Sequence, residues 1–184
     1  MRYVRKMQLN YLNPPVRREF LGFGPVQVPR NTAFKMRSMI KESATNEYVR
    51  KWAEKIVEGL KDRDEYGEVN AIFTFLQRRT RYAKDPRGFE YVQTPFYVLQ
   101  QIDAGIQPNL DCDDYTVTGL SLLTALGYPT VIRVVSFNPK APFSHVYGIV
   151  NVKGKWVTFD PVRKDVALGW EAPGVRRRMD VPVT

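Results

Sequence analysis

The order of the hydrophobic patterns limits this chain more than any other feature. Helical periodicity extends from Asn46 to about Leu126, and runs rich in Val, Ile, Tyr, Trp and Phe follow it. From Asn46, residues Tyr48, Val49, Trp52, Ile56, Val57 and Leu60 fall on one helical stripe with Lys and Glu between them. The signal returns over Glu68 to Tyr82 through Val69, Ile72, Phe73 and Leu76, and again over Pro95 to Ile102 with proline in the first turn. The most apolar stretch, Asp113 to Leu126, ends on Gly127, a favoured residue just past a helix. Three strand-like runs come next, Thr130 to Phe137, His145 to Val152 and Lys155 to Phe159. Helices followed by strands predict an α+β domain with an antiparallel sheet, not an alternating parallel fold.

The 184 residues suit one domain with a sizeable core, and 43% hydrophobic and 26% charged residues are ordinary for a globular protein. Residues 1–32 contain Pro14, Pro15, Pro25 and Pro29 with Gly22 and Gly24, and read as an extended basic arm. The domain is expected over residues 33–165, and 166–184, with Arg176, Arg177 and Arg178, as a basic tail. A net charge of +9 suits an acidic partner, but no recognition motif favours nucleic acid over a solvated basic surface. The basic termini would equally serve assembly contacts. The first residues contain no apolar run of the length a secretory signal needs, and no later stretch is apolar enough to cross a bilayer, so a cytoplasmic protein is expected.

Chemistry gathers around single residues. The one cysteine, Cys112, starts the apolar helix; the one histidine, His145, opens a strand; Asp160 closes the next strand. A lone cysteine forms no internal disulfide and no cysteine zinc cluster. At a helix N-terminus the free N–H groups and the dipole favour a thiolate and offer donors to an oxyanion. Asp111, Asp113 and Asp114 oppose that effect, so activation falls to His145. If Lys153–Gly154 is a two-residue hairpin turn, Val152 faces Lys155, Asn151 faces Trp156, and Asp160 comes opposite Tyr147, diagonal to His145. A carboxylate then reaches the imidazole and orients it, as nucleophilic catalysis requires. Each residue also has a plainer reading: a buried thiol, a satisfied strand histidine, a strand terminator. The three aspartates lack the EF-hand spacing and read as caps and dipole partners, and neither metal nor cofactor is expected.

Asp111-Cys112-Asp113-Asp114 opening a helix, Ala125-Leu126-Gly127-Tyr128, His145-Val146-Tyr147, Gly154-Lys155-Trp156 and Phe159-Asp160-Pro161 together resemble the transglutaminase-like superfamily. The likeness covers about Ala71 to Val162, and Tyr82 with Asp85-Pro86 is similar to the approach segment of short bacterial and bacteriophage members. The resemblance implies a papain-like thiol fold with a Cys-His-Asp triad at Cys112, His145 and Asp160. It implies a cysteine peptidase or amidase acting on a peptide or protein substrate, with acyl transfer as the sister reaction and a virion or assembly role as the alternative. By analogy with papain-like enzymes, Gln107 and Asn109 are candidate oxyanion donors. Trp156 and Tyr147, on the triad face of the expected hairpin, are candidates for the pocket wall.

Overall fold

The computed structural model describes residues 18–20, 28–85 and 91–184. Among them run β1 (Arg18–Phe20), α1 (Val28–Thr45), α2 (Glu47–Val57), α3 (Glu65–Arg79), β2 (Arg81–Tyr82), β3 (Tyr91–Gln93) and α4 (Pro95–Asp103). After these come β4 (Asn109–Leu110), α5 (Cys112–Ala125), β5 (Thr130–Ser136), β6 (His145–Val152), β7 (Lys155–Phe159) and β8 (Arg177–Pro182). The expected α+β order holds: helices lead, and the main sheet is antiparallel in the order β7-β6-β5-β8.

Helix α5 is the axis of the domain. Every residue from Asp113 to Leu123 is buried, because the helix has the sheet on one side and the other helices around the rest. A helix enclosed in this way has no solvent face to keep polar. Its approach to the sheet is close enough to require glycine at two points. A Cβ on Gly148 of β6 would lie 2.5 Å from Leu120 Cδ2, and one on Gly119 would lie 2.4 Å from Phe159 Cε1.

Two expectations about the ends need correction. The arm expected over 1–32 gives way to α1 at Val28, with Pro29 tolerated in the first turn. Ala33, Met36, Met39, Ile40 and Ala44 of α1 are buried in the core. The remainder of the expected arm lies largely outside the described residues. The tail expected over 166–184 is part of the domain: β8 pairs with β5 from Val131↔Pro182 to Ser136↔Arg177, and Val181 and Val183 are core residues. Arg133 grips Asp180 on β8 through two bonds of 2.8 Å each. Arg177 lies over the Phe143 ring at 5.0 Å, so the basic cluster belongs to an edge strand. Among the described residues, no helix is long and apolar enough to cross a membrane.

Candidate active site

The site begins with the hairpin of β6 and β7. Lys153 and Gly154 take φ of 50° and 80°, the pair of positive values a type I′ turn needs. Val152↔Lys155, Asn151↔Trp156 and Gly148↔Phe159 are the resulting partners, the register expected from the sequence. One step beyond Phe159, Asp160 comes level with Tyr147 and diagonal to His145. The His145 ring meets it there, with Nε2 2.7 Å from Asp160 Oδ2. Asp160 is buried and its Oδ1 accepts from the Val162 N–H at 3.4 Å. Nδ1 is therefore the ring nitrogen turned away from the carboxylate.

Cys112 is held against the same strand. Thr116, one turn along α5, places its hydroxyl 2.7 Å from the Cys112 carbonyl and 3.2 Å from that of Val146, the residue after His145. The Val146 backbone lowers the Cys112 pKa, against larger effects that raise it. Asp111 caps the helix: its Oδ1 accepts from the N–H groups of Asp113 (3.0 Å) and Asp114 (3.1 Å), while Asp114 accepts from the Asp111 N–H, completing a reciprocal box. Among the described residues, the Cys112 N–H in the first turn has no acceptor.

Carboxylates dominate the electrostatics. Burial, then Asp113 and Asp111, push the Cys112 thiol well above its ordinary pKa. The sulfur lies 3.6 Å from Asp113 Oδ1, an acceptor that favours S–H over S⁻. Burial and the same crowding push the Asp111 carboxyl up to about 9 and, mainly through burial, that of Asp114 up to about 6. Asp114 accepts from the backbone N–H (2.6 Å) and the side-chain amide (2.9 Å) of Gln93, tying β3 to α5. Asp111 and Asp114 are engaged in the cap of α5, and Asp114 in the clamp on Gln93, while Asp113 turns an oxygen to the sulfur.

Not every expected residue reaches the site. Gln107 donates its amide to the carbonyls of Arg78 and Thr80 at 3.2 Å each and accepts from Arg81 Nε at 2.6 Å, so its donors are spent in anchoring β2. Asn109 is exposed, and its carbonyl accepts from Gln93 at 2.8 Å. Trp156 is 55% exposed near the hairpin turn; four residues of strand put it about 13 Å along β7 from Asp160. Tyr147 is buried, stands 5.6 Å from the His145 ring, and donates its hydroxyl to Glu171.

Tyr82 is the residue that sequence reasoning did not place in the site. Parallel pairing sets it level with Leu110, two residues before Cys112, and the Ala83 N–H bonds to the Leu110 carbonyl at 2.9 Å. Burial, and then the negative charges of Cys112, Asp111, Asp113 and Asp160, raise the pKa of its phenol. Nothing in its local sequence reports that convergence, because strand pairing across 28 positions creates it.

No family model and no curated protein matches the chain. Solved structures do. A candidate cysteine protease from Cytophaga hutchinsonii aligns at TM-score 0.50 and 16% identity, over 88% of this chain and 57% of that one. A candidate protease from Parabacteroides distasonis aligns at TM-score 0.53 and 14% identity, over 71% of this chain and 26% of that one. A TGase gives TM-score 0.41 at 16% identity, over 77% and 35% of the two chains. This chain thus spans little more than half of the first protein and about a quarter of the second. The chain shares the α+β fold of these two candidate proteases.

Proposed function

We propose that the protein is a thiol hydrolase, a cysteine peptidase or amidase, with Cys112 as nucleophile, His145 as base and then acid, and Asp160 as the group that orients the imidazole. The observation that carries this reading is the His145 Nε2 to Asp160 Oδ2 bond of 2.7 Å on a strand whose next residue, Val146, is tied to the first turn of α5. The buried carboxylate fixes the tautomer with a proton on Nε2, leaving Nδ1 to accept the thiol proton. A thiol held protonated by burial first, and then by the neighbouring Asp113 and Asp111, depends on such a base.

The chemistry is acyl transfer. The sulfur attacks an amide carbonyl, the oxyanion collapses to a thioester, and His145 returns its proton to the departing amine; water then splits the thioester with the same imidazole as base. The unpartnered Cys112 N–H supplies one oxyanion donor. Tyr82, set level with Leu110 by the pairing of β2 with β4, is the second donor in this reading, in place of Gln107 and Asn109. An amine in place of water would give cross-linking from the same intermediate.

The test is labelling by a thiol-directed electrophilic probe carrying a peptide amide. The parent chain is expected to label, Cys112→Ala not at all, and His145→Ala far more slowly. Equal labelling of the parent and His145→Ala would refute activation by the histidine. Mass analysis of a cleaved peptide, with and without added amine, separates hydrolysis from transfer.

A further inference from the structure

Helix α3 presents a second face beyond the one it buries in the core. Val69, Ile72, Phe73 and Leu76 are buried against α5 and the core. A second stripe, through Gly67, Ala71, Thr74, Phe75 and Arg78, points away from them at helical spacing. Opposite it stand Trp52, Lys55 and Ile56 of α2, and Ile102 and Asp103 of α4 close one end. Between them lies an open cavity of about 750 Å³. Small residues at Gly67, Ala71 and Thr74 leave the space, and Trp52 and Phe75, with ring centroids 5.6 Å apart, line it.

The rim is cationic. Lys55 Nζ sits 4.7 Å from the centre of the Trp52 ring, and Arg79 donates to the Ile102 carbonyl at 3.3 Å while Arg78 is exposed. Among the described residues none of these three has a carboxylate within 4.0 Å, although neighbouring cations on α2 do: Lys51 pairs with Glu47 at 2.6 Å and Arg50 with Glu54 at 3.6 Å. Asp103 shares the rim without pairing with any of them. A largely apolar, aromatic groove edged by three cations with no carboxylate partner among the described residues has the composition of a binding site, and its volume lies within the range of roughly 300–1,000 Å³ seen for small-molecule pockets.

We infer that the α2–α3 groove binds an amphiphilic anion, its acyl or aromatic part against Trp52, Ile56 and Phe75 and its negative group among Lys55, Arg78 and Arg79. The site is separate from the cysteine: it lies on the outer face of α3, whereas Cys112 meets β6. The charge of the rim decides the class. An uncharged or cationic amphiphile would gain the apolar contacts but leave the cations without a counter-charge.

The test uses the full chain and dodecanoate below its micelle concentration, titrated calorimetrically at low ionic strength. Dodecyltrimethylammonium supplies the same tail with opposite charge, acetate the charge without the tail, and phosphatidylglycerol vesicles a membrane source of the same chemistry. Saturable one-to-one binding of dodecanoate is expected, with binding of the cationic amphiphile and of acetate weaker by about tenfold or more. The double substitution Lys55→Ala with Arg78→Ala, at exposed positions, should weaken dodecanoate by about tenfold, and Ala71→Trp should fill the groove and abolish binding. Absence of saturable binding, equal affinity for both amphiphiles, unchanged affinity in the double variant, or binding of vesicles alone would each overturn the inference. If Ala71→Trp fails to fold, the charge variant decides the matter by itself.

Discussion

Replacing Asp113 with Asn removes the carboxylate oxygen 3.6 Å from the Cys112 sulfur and keeps the size of the side chain. The interaction at that distance between two full charges is about 1 kcal/mol with water-like screening and about 4–5 kcal/mol with the screening typical near a protein surface. At 1.36 kcal/mol per unit, the thiol pKa should fall by about one to three units. The effect is best read in a His145→Ala background, where no imidazole shares the proton. Iodoacetamide alkylation of Cys112 followed from pH 6 to 11 gives the midpoint directly. Thiolate population rises about tenfold per unit and intrinsic nucleophilicity falls with a Brønsted coefficient of about 0.4–0.5, so the rate near neutrality should rise roughly 3- to 40-fold. The first turn of α5 loses an acidic partner of its dipole, at a cost of about 0.3–1 kcal/mol that thermal unfolding would register. A midpoint that stays in place while the protein remains folded would show that the carboxylate does not hold the proton on sulfur, and the electrostatic account of the site would fail.

Three further outcomes are expected. Because the Asp111 and Asp114 carboxyls sit above their unfolded value, the native state keeps protons that the unfolded chain releases. Stability from these groups is therefore complete below about pH 4 and is lost as pH rises through about 6 for Asp114 and about 9 for Asp111. Urea unfolding should show Asp111→Asn losing less stability between pH 5 and pH 9 than the parent; an identical or steeper loss refutes the crowding argument. Tyr82→Phe, at a side chain that is 43% exposed, should leave the melting temperature unchanged and lower kcat by about 10- to 1,000-fold with little change in KM, if its hydroxyl donates to the oxyanion. Gly148→Ala would set a methyl group 2.5 Å from Leu120 Cδ2, and chemical denaturation should report a loss of about 1–3 kcal/mol; a neutral result would mean that α5 can shift.

The hairpin was legible because its information is local. Two residues suited to positive φ between β-rich runs fix the turn, the turn fixes the register, and the register sets His145 diagonal to Asp160. Helix α5 was legible for a similar reason, with its cap and its glycine stop both in the sequence. Helix α1 escaped because its buried face, Ile40 apart, is made of Ala and Met among Lys and Arg, a weak contrast that the prolines before it obscure. Strand β8 escaped because Arg176, Arg177 and Arg178 mask the short alternation of Met179, Val181 and Val183. The fate of Gln107 depends on Arg78, Thr80 and Arg81, 26 to 29 positions earlier in the chain, and no local pattern carries that information.

His145 and Asp160 are 15 residues apart on one hairpin, whereas Cys112 is 33 residues from His145 on a separate helix. The two contacts therefore differ in kinetic class. A hairpin closes in microseconds by a short loop, while docking α5 onto the sheet waits on the collapse of the whole domain. The imidazole and carboxylate can pair in a chain that is only partly folded. The contact between Cys112 and their strand is the one that needs the whole core in place.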